Sequence, residues 1–130
     1  MLKMSEANRP QIKDYKDLQV WQKGMDLARR VYLLTRSFPV DEKFGLISQM
    51  RRAAVSIPSN IAEGQARNTT GEFVQFISHA EGSLAELDTQ LRLATVLKFC
   101  AESEANALSA SITELQRMLK SLRGKLTTNH

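Results

Sequence analysis

Apolar residues recur at alternating steps of three and four through most of this chain, and that spacing constrains its fold more than any other feature. Side chains spaced in this way lie on one face of an α-helix, because a helix has about 3.6 residues per turn. Polar or proline-containing stretches separate four such segments. The pattern therefore predicts four amphipathic helices, at about 17–37, 41–65, 70–98 and 103–122.

Four amphipathic helices joined by short turns favour an all-α fold, an antiparallel up-down-up-down four-helix bundle over residues 17–126. Residues 1–16 are polar and carry several basic side chains, so we expect a flexible basic arm there. Residues 127–130 are expected to fray.

Local signals mark several of the helix boundaries. Asp17 is placed as the N-cap of the first helix, and Phe38-Pro39 ends that helix, because the residue before a proline is pushed out of the α region. Thr69 and Glu72 form a capping-box pattern that starts the third helix. Ser103 is the candidate N-cap of the fourth helix.

The first helix has two apolar faces. One suits the bundle core, and a helix that is apolar on both flanks is either central or contacts another subunit. The first face comprises Leu18, Trp21, Met25, Ala28, Tyr32 and Thr35, and the second comprises Val20, Leu27, Val31 and Leu34. The second face is the sequence feature that favours a contact with a partner.

The second predicted helix contains Pro58, which removes a backbone N–H and costs about 3 kcal/mol inside a straight helix. Either one helix bends at Pro58, or two helices meet at Ser56–Ser59. The apolar periodicity continues through the proline, so we predict a continuous helix with a kink at Pro58.

Small residues suggest where the second and third helices approach each other. If the two helices form an antiparallel hairpin, Ala53 and Ala54 lie opposite Gly82 and Ser83. A glycine within a helix costs about 1 kcal/mol in helix propensity. We therefore interpret Gly82 as a site of close approach by another backbone.

The same hairpin places Arg51 and Arg52 near Glu86 and Asp88. These arginines, with Arg67, admit two interpretations. Guanidinium groups bind phosphates bidentately, or they pair with acids, Arg52 with Glu86 and Arg67 with Glu63.

Two polar positions of the second helix, Asn60 and Glu63, fall where helix-interior residues are expected to be apolar. If buried, they must be satisfied within the chain or at a subunit contact.

The composition and the motifs of the sequence exclude several classes of function. The formal net charge of +4 assists an encounter with a polyanion, and the single cysteine, Cys100, excludes an intrachain disulfide and favours a cytoplasmic protein. No Glu-x-x-His pair, phosphate-binding glycine loop or Ser/His/Asp set is present, so we expect no enzyme activity, metal or cofactor. No stretch approaches the roughly 20 apolar residues of a membrane span, so no membrane partner is expected.

Several segments resemble one known family, the bacterial four-helix bundle proteins called 23S rRNA-intervening-sequence proteins, or the S23 family. They are Val20–Lys23 (VWQK), Arg51–Gly64 (RRAAVSIPSNIAEG) and Gly82–Leu87 (GSLAEL). The chain departs from the family pattern at Phe44, where tyrosine is usual, and at Lys98–Cys100, where a Gly-Tyr turn is common.

The resemblance implies an antiparallel four-helix bundle that assembles as a homopentamer. It also implies kinship with the accessory variability proteins of diversity-generating retroelements, which are basic pentameric barrels that bind nucleic acid and a reverse transcriptase. The family's name records the position of some of its genes and no biochemical activity.

Together these features predict a non-enzymatic, homo-oligomeric helical bundle that binds RNA or DNA through a basic surface. The candidate nucleic-acid-binding residues are Arg51, Arg52, Arg67, Arg117, Lys120 and Arg123. The structural motif comprises Ala53, Ala54, Pro58, Asn60, Glu63, Gly82 and Ser83. The alternative is a protein-interaction scaffold with no nucleic-acid role, whose partner is a reverse transcriptase or another protein.

Overall fold

The computed structural model describes residues 14–128 and is built from helices. The α-helices are α1 (Gln19–Thr35), α2 (Leu46–Gln65), α3 (Thr70–Val96) and α4 (Glu102–Thr127), and the two 3₁₀ helices are Tyr15–Asp17 and Val40–Glu42. None of residues 14–128 lies in a strand, so the predicted all-α four-helix fold is confirmed. The predicted arm over residues 1–13 and the predicted fraying of residues 129–130 lie outside the described residues.

The helices surround one apolar core, with α1 against α2 and α4, and α3 against α2 and α4. On α3 and α4, Glu81 contacts Arg123 and Asp88 contacts Ser109, so residue numbers rise along one helix as they fall along the other. Contacts between the other neighbouring helices follow the same reversed order. This is the pairing expected of antiparallel neighbours.

The burial of the two apolar faces of α1 differs from what the sequence predicted. The second face, predicted to suit a partner, is buried in the core: Val20, Leu27, Val31 and Leu34. On the first face, Leu18, Ala28 and Thr35 are also buried, whereas Met25 and Tyr32 are exposed and Trp21 is half-buried. Periodicity identifies apolar faces, but the rotation of α1 about its axis is set by its packing against α2 and α4.

Both early helices start later than predicted. The Asp14 carboxylate accepts a hydrogen bond from the N–H of Lys16 at 2.7 Å, and this caps a short 3₁₀ turn that contains Asp17. Asp17 is therefore not the N-cap of α1. At α2, the Glu42 carboxylate accepts from the N–H of Leu46 at 3.0 Å. Glu42, which the predicted range of 41–65 placed inside the helix, therefore lies before it and satisfies its first N–H.

The remaining boundaries confirm one prediction and correct another. The Thr69 hydroxyl accepts from the N–H of Glu72 at 3.1 Å, and α3 begins at Thr70 as predicted. Ser103 is not the cap of α4, because that helix begins one residue earlier, at Glu102. The Glu104 carboxylate instead accepts from the N–H of Ala101 at 3.2 Å.

The connection between α3 and α4 is a Schellman motif without glycine. The N–H of Phe99 donates to the Ala94 carbonyl at 2.9 Å, and the N–H of Lys98 donates to the Thr95 carbonyl at 3.0 Å. Lys98 has a φ of 63°, in the left-handed region that usually selects glycine. The Phe99 ring packs 5.5 Å from that of Phe38, centroid to centroid, and this apolar contact holds the turn against the bundle.

Helix α2 passes through Pro58 without interruption, so the alternative of two helices meeting at Ser56–Ser59 is wrong. Pro58 is buried and faces α1 at Gly24, where an added Cβ would lie 3.5 Å from the proline ring. The Ser56 hydroxyl lies 2.7 Å from the Ala53 carbonyl, one turn before the proline. The kink at Pro58 stays a prediction.

Close approach between α2 and α3 occurs at a different glycine from the one predicted. Gly82 is exposed, and a Cβ placed there would have no heavy atom within 4 Å, so the interpretation of Gly82 is wrong within this chain. At Gly64, by contrast, an added Cβ would lie 2.6 Å from the Cβ of Phe76 and 3.1 Å from Cδ1 of Phe73. Gly64 is therefore the residue that permits close packing of these two helices.

The other members of the predicted structural motif have distinct roles. Ala53 and Ala54 are buried in the core, as expected for small residues in a helix interface. Ser83 lies across that interface, with its hydroxyl 2.6 Å from the hydroxyl of Ser56. Asn60 is half-buried and satisfied within the chain, because its side-chain amide donates to the Ser56 carbonyl at 2.7 Å.

Replacing Gly64 by alanine is expected to destabilise the fold by about 1–2 kcal/mol, since the overpacking outweighs the gain in helix propensity. The matched control is Gly82→Ala, which is expected to be neutral or to stabilise by up to about 1 kcal/mol, because it fills open space. Urea unfolding followed by circular dichroism measures both free energies of unfolding. Equal effects of the two substitutions would contradict the packing described for Gly64.

Candidate nucleic-acid interface

The basic residues singled out from the sequence fall in three separate places. Arg51 and Arg52 lie in the second turn of α2, whereas Arg67 lies just beyond its end. Because a helix rises about 1.5 Å per residue, Arg51 and Arg67 are roughly 20–25 Å apart. The C-terminal half of α4 carries Arg117, Lys120 and Arg123. No single surface therefore contains all the predicted cations.

Arg51 and Arg52 line an open groove of about 670 Å³ between the end of α1 and the start of α2. Its lining consists of Tyr32, Lys43, Phe44, Ile47, Ser48, Arg51, Arg52, Val55 and Ser56. Three of these side chains are cationic and two are aromatic, and none is a carboxylate. We call this the cation groove.

The connection before α2 completes the cation groove. After the 3₁₀ helix Val40–Glu42, the chain passes through Lys43 and Phe44 before α2 starts at Leu46. Phe44 falls within the range of about 41–65 predicted for the second helix, but it precedes α2 in the structure and is 89% exposed. Because the helix begins after Phe44, the helical spacing does not apply there and the ring points into solvent.

Arg51 is held in place by contacts with α1. Its guanidinium carbon lies 4.5 Å from the centroid of the Tyr32 ring. Its Nε donates to the Thr35 hydroxyl at 2.9 Å, and its Nη2 lies 3.4 Å from the Tyr32 carbonyl. A guanidinium has five N–H donors, so others stay available to a ligand. The predicted proximity of Arg51 to Glu86 and Asp88 yields no ion pair.

Arg52 is exposed and makes no ion pair or hydrogen bond with any residue from 14 to 128. The predicted pair between Arg52 and Glu86 is therefore wrong. Asp88, the other acid expected nearby, instead pairs with Arg92 at 3.1 Å and accepts from Ser109 on α4. The hairpin register placed Asp88 on the stretch of α3 that faces the start of α2, but its side chain turns toward Arg92 and Ser109.

Arg67 is engaged at the opposite end of α2. It pairs with Glu63 at 2.7 Å, which confirms that predicted ion pair, and its guanidinium lies 4.8 Å from the centroid of the Phe76 ring. Glu63 is exposed, so the condition of burial considered for this residue does not apply.

The basic residues of α4 differ in how free their charges are to contact a ligand. Arg123 binds Glu81 of α3 bidentately, at 3.0 and 3.1 Å, and these hydrogen bonds raise the pKa of Arg123 above its ordinary value. Arg117 and Lys120 are exposed without ion-pair partners among the described residues. Arg117 lines a second groove together with Lys125, and that groove also contains the carboxylate of Asp17.

Sequence analysis missed three members of the cation groove: Tyr32, Lys43 and Phe44. Tyr32 was assigned to an apolar helix face, and Lys43 was not singled out. The available signal was a lysine next to an aromatic residue, directly before the glycine at position 45 where a helix starts. That signal is weak, because only the folded chain brings Tyr32 beside it.

The described part of the chain offers few groups suited to metal binding or to nucleophilic catalysis. No group of three His, Cys, Asp or Glu side chains there is arranged to hold a metal ion. Cys100 is half-buried, and burial raises the pKa of its thiol, which disfavours the reactive thiolate. No helix among these residues has the length and apolar character needed to span a membrane.

Arg51 is expected to stabilise the fold and Arg52 is not. Arg51→Ala removes hydrogen bonds and a cation–π contact, so we expect a loss of about 1–2 kcal/mol in the free energy of unfolding. Arg52→Ala is the matched control, because it makes the same substitution at the next residue of the same helix. It should change the free energy of unfolding by less than about 0.5 kcal/mol. Chemical denaturation of both variants measures the difference, and a larger loss for Arg52→Ala would contradict these contacts.

Comparisons with known proteins agree with this fold. A family model described as 23S rRNA-intervening sequence protein matches residues 16–121. A search of the curated proteins returned no match.

Among solved structures, the chain is similar to a protein of unknown function from the S23 ribosomal protein family of Bacteroides thetaiotaomicron. The TM-score is 0.72 at 21% sequence identity, over 79% of this chain and 96% of the other. At this identity, the likeness supports the shared helical fold.

Proposed function

We propose that this chain, which belongs to the 23S rRNA-intervening sequence protein family, is a non-enzymatic helical bundle that binds nucleic acid through the cation groove. The observation that carries the proposal is the lining of that groove, which has Lys43, Arg51 and Arg52 and no carboxylate. A phosphate backbone is the ligand whose charge is complementary to such a lining.

The cations of the groove suit phosphates in different ways. Arg51 is already held against Tyr32, so little side-chain freedom would be lost when it contacts a ligand. Arg52 is exposed and has no ion-pair partner among residues 14–128, so no ion pair within that part of the chain has to break. The formal net charge of +4 adds a favourable long-range field.

Binding rather than catalysis is proposed because of what the groove contains. Its lining has no carboxylate or imidazole that would act as a general base. A cytoplasmic location is part of the proposal, because a nucleic-acid ligand is available there.

The basic end of α4 is the weaker of the two candidate surfaces. Glu81 already neutralises Arg123, and the carboxylate of Asp17 lies in the groove that Arg117 and Lys125 line. A phosphate there would meet a negative charge as well as positive ones. Arg67 is likewise paired, with Glu63.

The double change Lys43→Ala/Arg52→Ala is expected to weaken nucleic-acid binding about tenfold or more at low salt, because two phosphate contacts are lost. Removing two contacts should also reduce the slope of log K against log salt by about 1.4 on a single strand. Fluorescence anisotropy with labelled oligonucleotides across a salt series measures both quantities.

The matched control is Arg117→Ala/Lys120→Ala, which removes the same charge from the other end of the bundle. We expect it to cause less than half the loss, in logarithmic units, of the groove variant. Equal losses would mean that net charge alone governs binding. Wild-type protein that binds no oligonucleotide even at low salt would refute the proposed function.

We further propose that the chain self-assembles, as the homopentamer that its family resemblance implies. An apolar groove beside the cation groove supports this. It lies between α1 and α2 and is lined by Tyr15, Trp21, Met25, Ala28, Arg29, Tyr32, Val55, Pro58, Ser59 and Ala62. Because most of this lining is apolar, covering it with a second copy would remove apolar surface from water.

Light scattering should give a multiple of the 14.6 kDa chain mass for the wild type. Met25→Glu should dissociate the assembly, because it places a charge in the apolar groove at a side chain that is 47% exposed. The control Leu93→Glu changes an equally exposed leucine (48%) on α3 and should leave the mass unchanged. A wild-type monomer at micromolar concentration would refute self-assembly.

A protein-interaction scaffold is the second candidate function. The apolar groove favours it, since a foreign protein such as a reverse transcriptase would bury the same surface as a second copy. A partner that co-purifies after nuclease treatment, and is lost in Met25→Glu while the mass of the assembly is unchanged, would support the scaffold over nucleic-acid binding.

A further inference from the structure

We propose that the cation groove selects single-stranded nucleic acid by stacking a base on the ring of Phe44. This inference rests on the proposed function, because it names the class of nucleic acid that the same groove accepts. The juxtaposition that carries it is an almost fully exposed aromatic ring within a groove lined by three cations.

Phe44 is available for stacking in a way that other aromatic side chains are not. Its ring is 89% exposed, whereas Phe38 and Phe73 are buried and Phe99 packs against Phe38. The ammonium of Lys43 lies over one face of the Phe44 ring, 5.6 Å from its centroid, so the opposite face is the one offered to a base. A base on this ring would therefore have a cation beside it for its own phosphate.

The rest of the groove continues the same alternation of rings and charges. Arg51 lies over Tyr32 with its guanidinium carbon 4.5 Å from the ring centroid. Arginine planes and aromatic rings are the surfaces on which unpaired bases stack. The groove volume of about 670 Å³ falls in the range of about 300–1,000 Å³ typical of small-ligand sites. It can therefore accommodate a nucleotide unit.

Strand selectivity follows from the geometry of bases. In a duplex, the faces of internal bases are covered by their neighbours, and only the backbone and groove edges are presented to a protein. A single strand offers base faces as well as phosphates. The cations of the groove would bind both forms, and Phe44 would add to the binding of the single strand only.

The test measures binding of the full chain to a single-stranded RNA of about 12 nucleotides, the DNA strand of the same sequence, and the corresponding RNA duplex. Phe44→Leu keeps an apolar side chain and removes the ring, and Phe44→Tyr keeps the ring. Because the side chain is 89% exposed, neither change should disturb folding. Phe44→Leu is expected to weaken binding of either single strand about tenfold and of the duplex less than twofold.

Phe44→Tyr is expected to bind like the wild type. Fluorescence gives a test that does not depend on affinity. The variant Phe44→Trp adds a second tryptophan to the single native one, Trp21. The fluorescence of the added tryptophan should be quenched by the single strand and not by the duplex.

The outcomes separate this inference from the proposed function. A wild type that binds no nucleic acid refutes both. A wild type that binds single strands and duplex equally, or a Phe44→Leu variant that weakens both equally, refutes strand selection and leaves the charge-based proposal standing. A Phe44→Leu variant with an altered molecular mass would assign Phe44 to a contact between copies and would also overturn the inference.

Discussion

The close packing of α2 against both α1 and α3 is the constraint on which the rest of the structure depends. At Gly64 an added methyl group would crowd Phe73 and Phe76 on α3, whereas at Gly24 on α1 it would make ordinary van der Waals contact with Pro58. Because glycine has no side chain, α2 can lie close to α3 at Gly64 and close to α1 at Gly24. The proline is accommodated because its ring occupies an interface formed with a glycine.

This packing also determines which cations are available to a ligand. With α2 fixed between its neighbours, Arg51 reaches across to Tyr32 and Thr35 on α1, while Arg52 projects into solvent. One arginine contributes to the fold and presents its remaining donors in a fixed orientation, and the other is free to adapt. At the far end of α2, Arg67 pairs with Glu63 and is neutralised within its own turn. The cation groove therefore lies at the start of α2.

Much of the fold was predictable, because its signals are local in the sequence. The four helices, the start of α3 at Thr69–Thr70, and the ion pair between Glu63 and Arg67 depend on residues within one or two turns of each other. Errors arose where a local pattern had to be extended to distant contacts. Gly82 was assigned a close contact that belongs to Gly64, and Arg52 was assigned a partner that it does not contact. For Arg52 the antiparallel hairpin identified the facing segment of α3 but not the side chain, whereas for Gly82 it placed the close contact at the wrong position along the hairpin.

The amino-acid sequence by itself determined that the chain forms four amphipathic helices, that the second helix continues through Pro58, and that the net charge is positive. It also determined the family to which the chain belongs. Periodicity and charge are properties of neighbouring residues, so no tertiary contact is needed to establish them. Only the tertiary structure decided which face of α1 is buried, which glycine permits close packing, and that Phe44 lies exposed beside Lys43 and Arg51. These features depend on the rotation of each helix about its axis and on the register between helices. Both are set by the simultaneous packing of all four helices, which no local pattern encodes.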